Sequence, residues 1–251
     1  MELILLCTFA FLAGFIDSVV GGGGLVQVPA FFVLYPQLSV PNIIGTNRLA
    51  SAVGTSVAAW NYARAVRIPW RIVLFAGVAA AICSYFGATL QSILPSDLLK
   101  PIILVLIIAI AFYTYRKKDL GQSERFHIAE NRKPLWAAGI GAVLGFYNGL
   151  VGPGTGSLLV FGFVGLIGYD FLSSSAISKV VNVIADVSSL IFFLTHKYVL
   201  FHLALPMMVC NVAGSYTGSR MAMLRGNAFI RKVFLVVVAG IIARFAWDVL
   251  K

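Results

Sequence analysis

Apolar segments long enough to cross a lipid bilayer recur along this chain, and they constrain its fold more than any other feature. One runs from Trp70 to Leu90, and another surrounds Pro101 to Tyr115. The composition agrees, because 60% of the 251 residues are hydrophobic and only 11% are charged. A soluble domain of this length needs far more polar surface. The sequence therefore predicts an all-α, polytopic integral membrane protein.

The chain matches itself when it is shifted by 131 residues. The segment GFIDSVVGGGG at 14–24 aligns with GFYNGLVGPGT at 145–155, and further segments align at the same offset. We predict two homologous membrane repeats, 1–115 and 135–251, joined by a polar linker at 116–134.

Each half is predicted to hold five apolar elements. The predicted elements are 2–20, 25–36, 42–63, 70–93 and 98–115, then 135–151, 156–169, 173–195, 202–222 and 229–248. The second element of each half has about 12 residues, or roughly 18 Å, against a hydrocarbon core of ~30 Å. We therefore expect elements 1–2 and 6–7 to form broken or re-entrant helical hairpins that meet near the midplane. An odd number of elements per half predicts two inverted repeats.

The basic residues favour one orientation in the membrane. If the linker is cytoplasmic, 13 of the 19 Lys and Arg residues lie on the cytoplasmic side, and both termini are external. The net charge of +10 is then mostly a consequence of topology, and no nucleic-acid partner is expected. We predict a multi-pass protein of the cell inner membrane, with no prediction of its oligomeric state.

Three segments of the chain carry a resemblance to a known family: GFIDSVVGGGGLVQVPAF from residue 14, GFYNGLVGPGTGSLLV from residue 145 and GTNR at 45–48. The resemblance is to the TauE/SafE (TSUP) family of membrane permeases. It implies secondary transport of a small anion, such as sulfite or a sulfonate, often as export. No P-loop motif is present, so the anion gradient, the membrane potential or protons would supply the energy. No cofactor is expected.

Two other functions stay open at this point. Broken helices that meet at the centre also suit an anion channel. An intramembrane enzyme would need a nucleophile–base pair or a metal site, but no His falls in a predicted span. The three cysteines fit no metal or disulfide pattern, so they are interpreted as small buried hydrophobic residues. The protein is thus not expected to be an enzyme or to bind a metal.

Arg48 and Lys179 are the clearest candidates for substrate binding, because they occupy equivalent positions of the repeat. A charge inside an apolar segment costs on the order of 3 kcal/mol and needs a reason. Ser51 shares a helix face with Arg48, and Asn182 shares one with Lys179. A guanidinium fork and an ammonium group both suit a sulfonate or carboxylate.

Acidic and amide residues define a second set, with roles in coupling or ion pairing. Its members are Asp17, Asp186 and Asn148, of which Asn148 is the repeat counterpart of Asp17. In one interpretation, Arg48 pairs with Asp17 and Lys179 pairs with Asp186. In the other, Asp17 takes up a proton when substrate leaves, so that protons are the coupling ion.

The glycine-rich breaks complete the predicted site. Unpaired N–H groups at the start of elements 2 and 7 would attract an anion, and glycine lets the backbone approach it. The alternative is close helix packing at small residues. The residues assigned to this part are Gly22, Gly23, Gly24, Gln27, Gly154, Thr155, Gly156 and Ser157.

Overall fold

A computed structural model describes residues 1–95 and 128–249, in which every regular element is helical. The helices are α1 (Glu2–Val20), α2 (Gly24–Leu34), α3 (Val40–Ala65), α4 (Trp70–Ile93), α5 (Lys133–Leu150), α6 (Thr155–Gly162), α7 (Phe171–Thr195) and α8 (Phe201–Val249). A 3₁₀ turn precedes α5, and a π-helical turn extends α6 to Ile167. The predicted all-α class is confirmed. The predicted element 98–115 and most of the linker lie outside the described residues.

The helices fall into long and short classes, as predicted. Among the described residues, α1, α4 and α7 are long and apolar enough to cross a membrane. In contrast, α2 has 11 residues and α6 has 8 before its π turn. At 1.5 Å per residue, α2 is about 16 Å long, well short of a ~30 Å hydrocarbon core.

The last helix is broken at Gly226. This residue has φ 66° and ψ −161°, a conformation outside the helical region that glycine adopts without steric cost. The break falls between the predicted elements 202–222 and 229–248. The prediction of two elements there is confirmed, although they follow one another without an intervening loop.

The two helices that carry the candidate cations begin at equivalent points. At α3, the Ser39 hydroxyl accepts a hydrogen bond from the amide of Asn42. At α7, the Asp170 carboxylate accepts from the amide of Ser173 at 2.6 Å. Ser39 and Asp170 are 131 residues apart, so both halves use an N-cap at the same position.

The helices of one half pack mainly on those of the other. α1 lies along α8, and α4 lies along α5; α3 contacts α8, and α4 contacts α7. Close backbone contacts repeat in the same way. A Cβ at Gly14 would lie 2.2 Å from the Asn211 carbonyl oxygen, and one at Gly145 would lie 2.5 Å from that of Ala80. Exchanging equivalent residues of the two halves leaves this pattern unchanged, which supports the internal repeat.

Alanine at Gly141 is expected to destabilise the protein by about 1–3 kcal/mol, because α4 and α5 would be pushed apart. A Cβ at Gly141 would lie 2.1 Å from the Ala76 carbonyl oxygen. Gly139 lies on the same helix, with no described atom within 4 Å of its Cβ position, and is the matched control. Thermal unfolding of purified protein in detergent measures both variants. Equal melting temperatures for Gly141→Ala and Gly139→Ala would contradict the helix contact.

Candidate functional site

Two cationic side chains lie in the interior at equivalent points of the repeat. Arg48 lies about two turns into α3, and Lys179 lies about two turns into α7. Both are buried, with 5% and 1% of their surfaces exposed. A buried charge is tolerated only when it is paired and hydrogen-bonded. The partners of these two side chains therefore define the site.

The guanidinium of Arg48 contacts an acidic side chain and a helix end. Its Nη1 lies 2.7 Å from Oδ1 of Asp186 on α7. Its Nη2 donates to the backbone carbonyl of Asn148, near the end of α5. Asp186 also accepts hydrogen bonds from the side-chain amides of Asn148, at 2.9 Å, and Asn182, at 3.0 Å. Three side chains thus donate to this buried carboxylate.

The ammonium group of Lys179 has a corresponding set of partners. Its Nζ lies 3.4 Å from Oδ2 of Asp17 and donates to the backbone carbonyl of the same residue, near the end of α1. Oδ2 of Asp17 also accepts from the Thr55 hydroxyl at 3.0 Å. The Asp17 side chain is 13% exposed, against 1% for that of Asp186. Asp17 is therefore the more accessible acid, and fewer side chains donate to it.

Both ion pairs join the two halves of the chain. Arg48 pairs with Asp186 of the second half, and Lys179 pairs with Asp17 of the first. The interpretation that paired Arg48 with Asp17 and Lys179 with Asp186 is therefore wrong. Lys179 and Asp186 share a face of α7, but seven residues separate them by about 10 Å along the axis. Contact between α3 and α7 instead brings Arg48 to Asp186, and contact between α1 and α7 brings Lys179 to Asp17.

The repeat preserves the contacts of the site but moves the acid. Asn148 stands at the position of Asp17, and Asp186 stands at the position of Thr55. The hydrogen bond between Thr55 and Asp17 accordingly corresponds to the one between Asn148 and Asp186. Each cation and its carboxylate partner form a half-site. The acid of the Lys179 half-site, Asp17, lies on α1, and the acid of the Arg48 half-site, Asp186, lies on α7. Each half-site therefore holds one cation and one acid, although Asp17 aligns with an amide.

The cations also lie at the carboxyl ends of α1 and α5. The last carbonyls of a helix lack intrahelical partners and carry partial negative charge, which favours a nearby cation. Gly152, just past the end of α5, has φ +87°, and a Cβ there would lie 2.8 Å from Nη2 of Arg48. Glycine at this position thus permits both the backbone turn and the close approach of the guanidinium.

A small polar cavity of about 20 Å³ lies beside Arg48. This volume accommodates about one water molecule. The predicted site residues on its wall are Asp17, Gly24, Arg48, Ser51, Asn148, Gly154, Thr155, Gly156, Asn182 and Asp186. The rest of the wall is formed by Ile44, Asn47, Val151, Gly152 and Pro153. The structure therefore brings most of the predicted site together around one cation.

Five predicted residues lie off the wall of this cavity: Gly22, Gly23, Gln27, Ser157 and Lys179. The Ser157 hydroxyl donates to backbone carbonyls at the end of α1. Oε1 of Gln27 accepts a hydrogen bond from Asn211 at 3.4 Å. A Cβ at Gly23 would lie 2.3 Å from the Ala13 carbonyl oxygen, so close packing of α1 and α2 explains this glycine. Lys179 is connected to the cavity wall through its ion pair with Asp17.

The first amides of α2 are engaged within their own turn. Those of Leu25, Val26 and Gln27 donate to the carbonyls of Gly22 and Gly23, each at 3.0 Å. The amide that begins α6 bonds in the same way. The prediction of unpaired amides is wrong at these positions, because the glycine breaks close into tight turns before each short helix.

Asn47 and Ser84 belong to the site and were missed from the sequence. Ser84 on α4 donates to Oδ1 of Asn148 at 3.0 Å, which directs the Asn148 amide group towards Asp186. Asn47 lines the cavity, and its Oδ1 has no hydrogen-bond partner among the described residues. Both residues could have been identified from the sequence, because Asn47 is in the GTNR motif and Ser84 has a serine as its repeat counterpart.

The site holds two cationic and two carboxylate side chains. Their formal charges sum to zero, because each cation is paired with one carboxylate. Within residues 1–95 and 128–249, no three His, Cys, Asp or Glu side chains gather in a group that could hold a metal ion.

Comparison with known proteins places the chain in a family. The family model described as sulfite exporter TauE/SafE matches residues 6–245. A protein named "Probable membrane transporter protein ORF9" from Sinorhizobium sp is 34% identical, over 95% of this chain and 90% of that protein. "Probable membrane transporter protein YfcA" from Escherichia coli K12 is 31% identical, over 95% and 87%. No solved structure matches the chain.

A more distant relative also matches over nearly the whole of this chain. "Probable membrane transporter protein YdhB" from Bacillus subtilis is 25% identical over 96% of this chain and the whole of that protein. The match to the family model and the relatives both extend over nearly the whole chain, and the apolar helices agree with them. The chain therefore belongs to the TauE/SafE family of membrane transporters.

Proposed function

We propose that this protein is a secondary transporter that moves a small sulfur oxyanion, such as sulfite or a sulfonate, across the cytoplasmic membrane by alternating access. The observation that carries the proposal is the pair of buried cations, each held by a carboxylate of the opposite half. The family name, sulfite exporter, and the relatives' names as transporters support the substrate class and the activity.

The chemistry of the pairs favours an oxyanion. A sulfonate presents the same kind of negatively charged oxygens as a carboxylate, so it can replace Asp186 or Asp17 at a cation. Nε of Arg48 has no hydrogen-bond partner among the described residues, so its N–H is free to donate to an anion. An oxyanion with three oxygens can use both the Nε and the Nη donors of one guanidinium.

Transport requires the site to change shape. A cavity of about 20 Å³ is too small for sulfite, so the halves must move apart before the anion binds. Because the ion pairs bridge the halves, breaking one pair and reforming it would couple binding to that movement. We further propose that the halves are inverted repeats, with the linker cytoplasmic and both termini external, so that rocking exposes the site to each side in turn.

Protons are the proposed coupling ion. A singly charged anion that displaces Asp17 from Lys179 leaves the cluster with one excess negative charge. If Asp17 takes up a proton at that step, the cluster stays neutral. The partial exposure of Asp17 supports this assignment over the fully buried Asp186.

A ligand screen followed by a flux assay tests the function. Sulfite, thiosulfate, taurine and sulfoacetate are added to purified protein, with acetate and chloride as controls. We expect at least one sulfur oxyanion to raise the melting temperature, because a ligand of the folded state stabilises it. In proteoliposomes, its uptake should saturate and respond to an imposed pH gradient. Unsaturated, pH-independent flux would favour an anion channel, and no binding or flux would overturn the proposal.

A further inference from the structure

Three serine hydroxyls on α7 are buried without a hydrogen-bond partner among the described residues, those of Ser174, Ser175 and Ser178. Ser175 and Ser178 lie within about one turn of Lys179 along the helix. A helical serine ordinarily satisfies its hydroxyl with a carbonyl of the preceding turn. Ser189 on the same helix does so, donating to Ala185 at 3.1 Å. The unpartnered hydroxyls therefore need another explanation, since burying an unpaired hydroxyl costs free energy.

The internal repeat relates these serines to the wall of the Arg48 cavity. Ser175 is the counterpart of Ile44, and Ser178 is the counterpart of Asn47. Ile44 and Asn47 both line that cavity. Lys179 is in turn the counterpart of Arg48, so one face of α7 repeats the face of α3 that lines the cavity. The unpartnered Ser174 is a counterpart of Ile43, which is not on the wall.

We propose that Ser175, Ser178 and Lys179 form a second anion subsite, related to the Arg48 cavity by the internal repeat. The proposal rests on the proposed function and extends it, because the same class of sulfur oxyanion would occupy both subsites. The hydroxyls donate to the oxygens of the anion, and the ammonium group supplies the charge.

The structure explains how this subsite is closed. Asp17 and Thr55 occupy the space around the ammonium group, with Oδ2 of Asp17 at 3.4 Å from Nζ. An anion that displaces Asp17 would bond to Lys179, to the hydroxyl of the preceding residue, Ser178, and to the Ser175 hydroxyl one turn earlier on α7. Transport would then pass the anion between a subsite based on Arg48 and one based on Lys179, each accessible from one side.

A titration with sodium sulfite at constant ionic strength tests the subsite, with the melting temperature of the purified full-length protein as the readout. The double variant Ser175→Ala/Ser178→Ala is made in the wild type and in an Arg48→Ala/Asp186→Asn background. That background removes the first subsite without leaving an unpaired charge. Ser189→Ala is the control, because its hydroxyl is bonded within its own helix.

The serine variants and their control are expected to change the melting temperature in opposite directions. Without sulfite, Ser175→Ala/Ser178→Ala should raise the melting temperature, because two unpaired hydroxyls are removed, whereas Ser189→Ala should lower it. In the Arg48→Ala/Asp186→Asn background, residual sulfite affinity should fall about tenfold with the serine pair replaced, and stay unchanged with Ser189→Ala.

Two other outcomes are distinguishable. If the wild type binds sulfite but the serine variants bind it as tightly as their parents, the hydroxyls only pack and the subsite is refuted. If the wild type shows no saturable response to sulfite, the sulfite-binding function itself is refuted, and the subsite with it.

Discussion

Replacement of Arg48 by alanine is expected to weaken sulfite binding about a hundredfold and to lower the free energy of unfolding by about 3–5 kcal/mol. The affinity falls because a guanidinium that donates through several N–H groups is lost. The stability falls because Asp186, whose side chain is 1% exposed, keeps its charge without its cation. Sulfite titration and thermal unfolding of the detergent-purified protein measure the two effects.

A second variant separates these effects. Adding Asp186→Asn to Arg48→Ala removes the unpaired carboxylate, so we expect most of the stability to return while sulfite binding stays weak. Arg64→Ala is the matched control, since Arg64 is exposed and lies over the ring of Trp60 at 4.4 Å. Wild-type affinity in the properly folded Arg48→Ala/Asp186→Asn protein would exclude Arg48 from the site.

Much of this fold was predictable because its signals are local. The length of an apolar segment is a property of consecutive residues, and it located the described helices closely. The 131-residue offset needed only a comparison of the sequence with itself. Gly226, for example, breaks α8 between the predicted elements 202–222 and 229–248. Arg48 and Lys179 were found because a charge inside an apolar segment is costly and was present twice at the same offset.

The partners of those cations were not predictable in the same way. A helix face fixes which residues point together, but not which helix of the other half they meet. The sequence therefore suggested Lys179 with Asp186, on one helix, whereas the contact between α3 and α7 joins Arg48 to Asp186. The turn bonds at Gly22 and Gly23 were likewise hidden, because several glycines in a row permit many backbone paths.

Because each cation pairs with an acid of the other half, movement of one half relative to the other must change the site. If each cation were paired within its own half, the halves could move without any change at the site. Because Arg48 reaches Asp186 and Lys179 reaches Asp17, any separation of α3 from α7 or of α1 from α7 strains a buried ion pair. Under the proposed function, a substrate oxyanion would take the place of the lost carboxylate, so that binding and opening would favour each other.

Replacement of Asp17 by asparagine is expected to tighten anion binding about tenfold and to end the proposed proton coupling. The neutral amide side chain no longer competes for Lys179, so an anion gains a charge that was neutralised before. Without anion, the buried ammonium group lacks its counter-ion, and the melting temperature should fall. Methanesulfonate is the probe, because it carries one negative charge throughout the working pH range. Glu2→Gln is the control, since Glu2 is an exposed acid in the first turn of α1.

Charge balance decides what Asp17→Asn should do in proteoliposomes. The wild-type cluster is neutral, so one anion and one proton taken up together leave it neutral, and transport should not change a voltage-sensitive dye. The Asp17→Asn cluster carries one positive charge, which a single anion neutralises without a proton. Its transport should therefore become slower, insensitive to a pH gradient and electrogenic. Electroneutral, pH-driven transport by Asp17→Asn would show that the proton binds elsewhere, and Asp17 would then be a structural partner of Lys179.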